Sequence, residues 1–305
     1  MKNLEKFINK INWDDINPVQ IKRLISFAKD EDLLGIGLIQ KPMFTEDVTT
    51  SALISNKTAK VNIVARQDLT PCGLKLIPLI INCYESDSSF TILINDGHLA
   101  NQGEVLATIQ GPSAELLIME RVILNFIQHL SGIASNTLLY SNALKDSDTK
   151  LLDTRKTTPG YRFLEKYAVV TGGGYNHRLG LFDRILIKDN HLASESAIVG
   201  ERLFDAIKRA KQFNNQLLVE VEVDSIEQIE PVLNAKADAL LLDNFNNADL
   251  SAAIDLIKNK AVTEASGGIT LSRLNEIKSL GLDFISTGAL IHQSKWVDIA
   301  FDWDC

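Results

Sequence analysis

The stretch Ala239–Gly268, ALLLDNFNNADLSAAIDLIKNKAVTEASGG, decides the fold of this chain. It begins with one short apolar run, Ala239–Leu242, and ends on another, Val262–Ala265. Between the two runs, residues 250–258 carry apolar side chains at helical spacing. Two short apolar strands joined by one helix form a βαβ unit, and the strands of such a unit are parallel.

The same alternation continues on both sides of this stretch, from Lys150 onward. Further strands are predicted at Leu151-Leu152, Ile185–Ile187, Leu217–Val221 and Phe284–Thr287, and further helices at Leu203–Phe213, Ile226–Asn234 and Leu271–Leu280. Repeated strand–helix units of this kind predict an α/β fold with a parallel sheet, either open or closed into a barrel.

The amino-terminal half has a different pattern. Residues 1–37 show helical spacing, and residues 57–110 are interpreted as strands because apolar and polar side chains alternate at 59–65 and 90–94. A long helical stretch follows at about 114–144. These segments predict a separate region of strands and helices ahead of the parallel sheet.

Polar residues or glycines end the predicted strands of the second half. They are Asp153, Lys188, Glu222, Asp243, Ser266-Gly267-Gly268 and Gly288. Because the carboxyl ends of parallel strands meet at one edge, we expect these residues to surround a single site. Glu220 alternates with Glu222 and faces the same side of its strand, so it remains an alternative to Glu222.

A dense cationic cluster lies between Asp153 and His191 in a chain whose formal net charge is −8. Its members are Arg155, Lys156, Arg162, Lys166, His177, Arg178, Arg184 and Lys188. Focused positive charge within an acidic protein favours a pocket for a small, highly charged anion. The acidic balance argues against a general nucleic-acid binder.

Length and composition are those of a soluble globular protein. The 305 residues allow one large or two ordinary domains. The polar start predicts no signal peptide, and no apolar run is expected to span a membrane. Cys72, Cys83 and Cys305 lack metal-ligand spacing, which favours a reducing, cytoplasmic location, and the first two are expected to be buried.

The residue types at the predicted strand ends suggest phosphate and sugar chemistry. Arginine and lysine bind phosphates and carboxylates, and two glycine-containing turns, Ser266–Gly268 and Thr287–Ala289, offer backbone N–H groups to a phosphate. Glu222 and Asp243 are suited to ribose hydroxyls or to hydrated Mg²⁺. The sequence contains neither a recognisable nucleophilic triad nor a phosphate-binding Walker loop.

Some of these residues also have plain structural interpretations. His177 could be a structural histidine, and Lys166 is expected to be a solvated charge. His98 and His129 are expected to be surface or helix residues. Gly172–Gly174 could serve only to allow close backbone packing.

Several runs, taken in order, resemble the quinolinate phosphoribosyltransferase family. They are DTRKTTPG, EKYAV, GGG-x-NHR-x-GL, LIKDNH, EVEV, LLDN, EASGGI and STGALIH. The resemblance extends from about Glu46 to Asp298 and includes the helical MERVILNFIQHLSGIAS at Met119–Ser135. The chain departs from many relatives at Glu46-Asp47 and at Gly268, where they have Gly-Asp and Asn.

The resemblance implies an incomplete, about seven-stranded α/β barrel with an amino-terminal α/β sandwich domain. It implies a sandwich domain at 1–127 with leading helices, a barrel at 128–297, and a carboxyl-terminal tail at 298–305 of unexplained role. It also implies a homodimer in which each barrel mouth is closed by the partner's sandwich domain, with Arg66 as the residue contributed across the dimer.

The activity implied is the reaction of quinolinate with phosphoribosyl pyrophosphate and Mg²⁺, which gives nicotinate mononucleotide, pyrophosphate and CO₂. The implied catalytic residues are Lys156, Lys188, Glu222 and Asp243, of which Glu222 and Asp243 also bind the metal. The implied substrate-binding residues are those four with Arg66, Arg121, Thr154, Arg155, His177, Arg178, Ser266, Gly267, Gly268, Thr287, Gly288, Ala289 and His292.

Two alternatives remain open from the sequence. One is a related enzyme of the same fold, such as the ModD-like pyrophosphorylases. The other is a phosphosugar-binding barrel that senses its ligand without catalysis.

Overall fold

The computed structural model describes residues 2–54 and 57–304, which form two compact units. The parallel-sheet unit comprises the residues up to Lys10, Leu139–Thr157 and Gly174–Gln293. The antiparallel-sheet unit comprises Ile11–Leu138, Thr158–Gly173 and the chain from Ser294 onward. The boundaries at 127/128 and 297/298 stay predictions.

Helices and strands succeed one another along the chain. The helices are α1 (Pro18–Leu34), α2 (Val48–Leu53), α3 (Ile77–Cys83), α4 (Ser113–Ala143), α5 (Arg162–Thr171), α6 (Asp189–Ser194), α7 (Gly200–Phe213), α8 (Ile229–Asn234), α9 (Asn247–Ile257), α10 (Leu271–Ile277) and α11 (Ala289–His292). The strands are β1 (Thr58–Ala65), β2 (Ser89–Ile92), β3 (Val105–Pro112), β4 (Lys150–Leu152), β5 (Ile185–Ile187), β6 (Val219–Val223), β7 (Ala239–Asp243), β8 (Val262–Ser266), β9 (Phe284–Ser286) and β10 (Ile299–Trp303). Short 3₁₀ turns lie at Leu4–Phe7, Trp13–Asp15, Leu74–Leu76 and Ile226–Gln228.

Six strands form the parallel sheet in the order β4-β9-β8-β7-β6-β5. Every pairing in it is parallel, and helices follow the strands along the chain, as the alternation predicted. The predicted α/β class is therefore confirmed. The register pairs Asp243 with Ser266, which brings the ends of β7 and β8 level with each other.

The 3₁₀ turn at Leu4–Phe7 packs against the amino ends of the parallel strands. Phe7 is 4% exposed and lies in a core cluster with Leu152, Ala239, Val262 and Phe284. Three of these partners are the first residues of their strands. Burying a side chain of this size stabilises the fold by about 2–3 kcal/mol. The turn therefore seals the amino ends of the strands.

The antiparallel sheet has the order β10-β1-β3-β2. The interpretation of residues 57–110 as strands holds for β1, β2 and β3 but is wrong between them, where the chain forms α3. Ile77, Ile80 and Ile81 are buried on one face of that helix. The Asp96 carboxylate stabilises the turn that precedes this helix by accepting hydrogen bonds from the N–H groups of Gly73 and Leu74.

The carboxyl-terminal segment is part of this sheet. Strand β10 pairs antiparallel with β1, from Val61 opposite Trp303 to Ala65 opposite Ile299. The segment that the sequence leaves unexplained thus supplies an edge strand. Cys305 lies outside the described residues. Cys72 is fully buried, as expected, whereas Cys83 is only partly buried.

Helix α4 corrects one expectation about membranes. It has 31 residues and is apolar enough, by length and composition alone, to cross a bilayer, so the expectation that no stretch is long enough is wrong. Inside the protein, 61% of its most apolar window is buried. A helix in the core of a globular protein has the same properties, because it must be apolar on most faces.

Candidate active site

A cavity of about 540 Å³ lies at the carboxyl ends of the parallel strands. It collects every residue of the parallel-sheet unit that the family resemblance implies for catalysis or substrate binding, namely Thr154, Arg155, Lys156, His177, Arg178, Lys188, Glu222, Asp243, Ser266, Gly267, Gly268, Thr287, Gly288, Ala289 and His292. Asp153, which was also expected at this edge, does not line the cavity. The strand-end argument therefore locates the cavity correctly. What each residue does there stays a prediction.

The sheet itself delivers the chemical groups to this cavity. Lys188 follows β5 directly, Glu222 lies in β6, Asp243 ends β7, Ser266 ends β8 and Thr287 follows β9. Since all these strands are parallel and neighbouring, their carboxyl ends open on the same side.

Asp153 joins two sequence runs that lie far apart in the chain. This residue follows β4 and is fully buried. Its Oδ1 accepts a hydrogen bond from the backbone N–H of His177 at 2.8 Å, and its Oδ2 accepts one from Nδ2 of Asn176 at 2.9 Å. The carboxylate thus fixes the loop of His177 and Arg178 beside Arg155, a role that sequence reasoning missed.

The cations of the cavity are held close together. Burial, together with the positive charge of Arg155, lowers the pKa of Arg178 below its usual value. Arg155 Nε is buried and has no hydrogen-bond partner among the described residues. A buried, unsatisfied guanidinium donor next to other cations favours the binding of a carboxylate or phosphate.

The two glycine turns have backbone shapes that other residues would disturb. Gly267 and Gly268 have φ angles of 85° and 61°, and a side chain at Gly267 would collide with Asn244. A Cβ at Gly288 would lie 2.8 Å from Lys156 Cδ and from His292 Cδ2. Glycine at these positions lets cationic side chains and backbone amides share a small space.

Two acidic residues face the cations. Glu222 Oε2 lies 2.9 Å from Lys188 Nζ, and Asp243 Oδ2 accepts a hydrogen bond from Asn244 Nδ2 at 2.7 Å. Both also line a smaller adjoining recess of about 240 Å³, together with Asp189 and Asp224. Such an all-oxygen donor set fits a hard cation like Mg²⁺.

Glu220, the alternative to Glu222, has a different environment. It is fully buried, and its Oε2 lies 2.9 Å from Arg184 Nε. Although burial opposes ionisation, the Arg184 charge holds the pKa of Glu220 below its usual value. Arg184 also donates to the carbonyl of Phe7 at 2.5 Å. The expectation that Arg184 belongs to the anion pocket is therefore wrong, because this guanidinium does not line the cavity.

The rest of the cationic cluster lies in the other unit. Arg162 and Lys166 are on α5 and do not line the cavity. Lys166 is fully buried, so the expectation of a solvated charge is wrong. The helix is buried over most of its surface, which its sequence alone does not reveal. Gly172 at its end packs so closely on α4 that a side chain would collide with the carbonyl of Ala134.

Arg66 and Arg121 also belong to the antiparallel-sheet unit. Arg66 binds both oxygens of Asp302, at 2.6 and 2.9 Å. The Arg121 side chain is 65% exposed and contacts the neighbouring Glu120 at 2.8 Å. It lines a second cavity of about 480 Å³, whose other walls include Phe126, His129, Tyr161 and Trp296.

Sequence reasoning missed several residues of the first cavity. Glu264, Thr270, Ser286 and Gln293 line it as well. Glu264 is 1% exposed although it sits in the middle of strand β8. A charged residue in the middle of a short predicted strand is the signal that could have identified it.

Together, the sheet and the cavity define a class of protein, an α/β fold with a cavity lined by cations and glycine turns at its strand ends, as in enzymes that act on anionic substrates. Comparison of the chain with models of known protein families identifies a family within this class. The amino-terminal domain of quinolinate phosphoribosyl transferase matches residues 47–131, and its carboxyl-terminal domain matches residues 133–302. The chain belongs to the quinolinate phosphoribosyltransferase family, as its motifs predicted.

Individual relatives agree with this assignment. The chain is 38% identical over 288 residues to the probable nicotinate-nucleotide pyrophosphorylase (carboxylating) of Bacillus subtilis, with 94% of each chain covered. It is 35% identical over 300 residues to quinolinate phosphoribosyltransferase (decarboxylating) 1b of Nicotiana tabacum, covering 93% of this chain and 82% of that one. The nicotinate-nucleotide pyrophosphorylase of Francisella tularensis superimposes with a TM-score of 0.87 at 32% identity, covering 97% and 100%.

Proposed function

We infer that this chain transfers the phosphoribosyl group of phosphoribosyl pyrophosphate to quinolinate with decarboxylation. The products are nicotinate mononucleotide, pyrophosphate and CO₂, which places the enzyme in pyridine nucleotide biosynthesis. The observation that carries this function is the cavity that combines four arginine and lysine side chains, three carboxylates and two glycine turns, in a chain of this family.

Quinolinate is a dianion, and two neighbouring carboxylates require several cations of matched geometry. We assign this role to Arg155, His177 and Arg178, with Lys156 and Lys188 beside them. The unsatisfied Nε of Arg155 supports the assignment, because a bound carboxylate would supply its missing acceptor. The turns at Ser266–Gly268 and Thr287–Ala289 are assigned to the phosphates.

The transfer step exchanges one bond at the ribose for another. The quinolinate nitrogen bonds to the anomeric carbon, and pyrophosphate departs with the electrons of the broken C–O bond. Positive charge develops on the ribose, where the carboxylates of Glu222 and Asp243 stabilise it. Lys156 and Lys188 neutralise the negative charge that grows on the departing pyrophosphate.

Decarboxylation then needs no further organic cofactor. Loss of CO₂ from the carbon beside the ring nitrogen leaves an electron pair next to a cationic pyridinium, and a proton fills that position. The positive charge on the adjacent ring nitrogen stabilises this electron pair until the proton arrives, so the residues of the cavity act mainly by holding and orienting the anion.

Glu222 and Asp243 are also the residues proposed to hold Mg²⁺. Their carboxylate oxygens in the cavity wall are the ligand type that this ion takes along with substrate phosphates and water. When bound, the ion would add positive charge beside the pyrophosphate.

We also propose that the parallel sheet is an incomplete barrel of about seven strands. In support, β4 and β5 are consecutive in the chain but lie at opposite ends of the strand order. Tyr175 makes a parallel bridge to Leu152 on the free side of β4 and is the candidate for the remaining strand. A barrel would bring all the strand ends around one mouth.

We further propose that the protein is a cytoplasmic homodimer in which the two subunits share their active sites. The strongly charged cavity needs a cover that excludes water from the reacting centre. A partner subunit supplying this cover is the arrangement that the family resemblance implies.

Incubation of the purified protein with quinolinate, phosphoribosyl pyrophosphate and Mg²⁺ tests the function directly. We expect stoichiometric nicotinate mononucleotide, pyrophosphate and CO₂. Turnover with another acceptor but not with quinolinate would indicate a ModD-like pyrophosphorylase. Tight phosphoribosyl pyrophosphate binding without product would indicate a sensor instead.

A further inference from the structure

Four ionisable side chains form a buried tetrad at and beneath the floor of the cavity: His177, Glu220, Glu264 and Arg184. His177 Nε2 lies 3.2 Å from Glu264 Oε1 and 3.5 Å from Glu220 Oε2. Arg184 Nε lies 2.9 Å from the same Glu220 oxygen. All four residues are at most 5% exposed, and both His177 and Glu264 line the cavity.

The charges of the tetrad balance when both glutamates are ionised and His177 is protonated. Two buried, ionised carboxylates require two positive charges, since an uncompensated buried charge is strongly destabilising. Arg184 supplies one, and it is already paired with Glu220. The second is available from His177 when its imidazole is protonated on both nitrogens. In the alternative arrangement, one carboxyl group is protonated and donates to the other, and His177 is then neutral.

A metal ion is the other candidate for this place, because one histidine and two glutamates offer three ligand atoms within 4.8 Å of one another. The Arg184 guanidinium argues against it. A metal dication here would lie beside the Arg184 guanidinium, which is already paired with Glu220, and close to the cations Arg155 and Arg178. These like charges would repel the metal ion. The ion-pair arrangement is therefore favoured.

We propose that Glu264, supported by Glu220, holds His177 as a permanently protonated and fixed cation that binds a carboxylate of the substrate. Glu264 is then a positioning residue that acts through His177. The proposal rests on the quinolinate activity inferred above.

The groups that face His177 come from three directions. Glu264 lies on β8, Glu220 lies on β6, and Arg184 precedes β5. Burial and Arg184 lower the pKa of the imidazole, but Glu264 and Glu220 outweigh them and raise it above its ordinary value. Asp153 fixes the backbone of the same residue. Asp153 therefore fixes the position of His177 through its backbone, and the carboxylates of Glu264 and Glu220 favour the protonated imidazole.

Imidazole NMR of ¹⁵N-histidine-labelled enzyme measures the charge of His177 directly, with the His177→Gln variant assigning its signals. In the wild-type enzyme we expect His177 to stay protonated well above pH 6.5. In Glu264→Gln it should titrate near or below pH 6.5. A neutral His177 at pH 6.5 in the wild-type enzyme would overturn the proposal. So would a neutral His177 that becomes protonated when metals are removed with EDTA, which would identify the tetrad as a metal site.

Kinetics gives a second, independent measurement. At pH 8, Glu264→Gln should raise the quinolinate KM by about 10- to 100-fold, the effect of losing one charged hydrogen bond. The KM should recover toward the wild-type value near pH 5.5, where His177 protonates without help. The KM for phosphoribosyl pyrophosphate should change much less. A KM increase that is independent of pH would show that Glu264 has only a structural role.

Two further variants separate charge from packing. Glu264→Asp keeps the charge and should preserve the weak pH dependence of the wild-type KM. Glu165→Gln removes another fully buried glutamate paired with a histidine, at 2.8 Å from His129 in the other unit. It should lower thermal stability while leaving the pH profile of the quinolinate KM unchanged. Wild-type turnover of quinolinate tests the function itself, so an active enzyme with a neutral His177 would reject only this inference.

Discussion

The first and second cavities described above are similar in volume, about 540 and 480 Å³, but different in chemistry. The first is built from cations, carboxylates and glycine turns at the ends of parallel strands. The second is lined by aromatic side chains of the antiparallel-sheet unit, with Glu31, Asp32 and Arg121. Volume alone therefore does not identify an active site, whereas several convergent charges on neighbouring strands do.

The difference has a structural origin. In the parallel sheet, every strand ends on the same side, so each can contribute one side chain to a common point. In the antiparallel sheet, neighbouring strands end on opposite sides, and polar residues mostly pair within the surface, as Arg66 does with Asp302. Substitutions in both units can show how far catalytic activity depends on the parallel-sheet unit rather than on the antiparallel-sheet unit.

Replacement of Arg155 by alanine should have the largest effect. Removing a partly buried cation that binds an anionic group costs about 2–5 kcal/mol, or roughly 30- to 5,000-fold in quinolinate kcat/KM. The fold should survive, which circular dichroism and thermal melting would verify. Arg209→Ala, which removes an arginine whose side chain is 62% exposed on α7 of the same unit, is the control. Near-normal kinetics of a folded Arg155→Ala enzyme would remove Arg155 from the site.

Charge-neutral variants of the acidic residues should separate the two cavities further. Glu222→Gln and Asp243→Asn should lower kcat by about 10- to 1,000-fold and change the substrate KM less, since they stabilise charge that develops during transfer. The matched variants Glu31→Gln and Asp32→Asn in the second cavity should leave kcat within about twofold. An effect of Glu222→Gln and Asp243→Asn on KM alone would make them simple hydroxyl ligands.

Subunit mixing tests whether the antiparallel-sheet unit contributes to a partner's site. Arg66→Ala and Lys188→Ala should each be inactive alone. After exchange, a mixed dimer keeps one complete site of two, so random mixing should restore about a quarter of wild-type activity.

The same mixing with Arg121→Ala distinguishes the two arginines. Arg66 is engaged with Asp302, whereas Arg121 contacts only Glu120 among the ion pairs of the described residues. Recovery with one variant and not the other identifies the shared residue. No recovery with either, when mass spectrometry confirms mixed dimers, would rule out a shared site.

The smallest effect is expected at a glycine turn. In Gly288→Ala, the new methyl group would displace the flexible end of Lys156 and the ring of His292, both 2.8 Å away. We expect a several-fold rise in the phosphoribosyl pyrophosphate KM with an unchanged melting temperature. Gly281→Ala serves as a contrasting control, because its side chain meets open space and its strain comes only from a φ of 82°. A Gly288→Ala enzyme with wild-type KM would show that Lys156 and His292 need no fixed position.

Much of the fold follows from local pattern. The apolar runs at 239–242 and 262–265 become β7 and β8, and the alternation at 59–65 becomes β1. Helix α3 was not predicted because it has only seven residues, and the Asp96 contacts that stabilise the turn before it come from a distant segment. The burial of Lys166 was not predicted because it depends on how the rest of the antiparallel-sheet unit packs around α5.

The sequence by itself determined the alternation of strands and helices, the polar strand ends and the family motifs, because these depend on neighbours along the chain. It therefore determined most, but not all, of the residues that meet in the first cavity. Only the tertiary structure decided how they are connected: Asp153 bound to the His177 loop, Arg184 paired with Glu220, and Glu264 beside His177. Such contacts join segments that are distant in the chain, and buried charges select their partners by distance and geometry in the folded core.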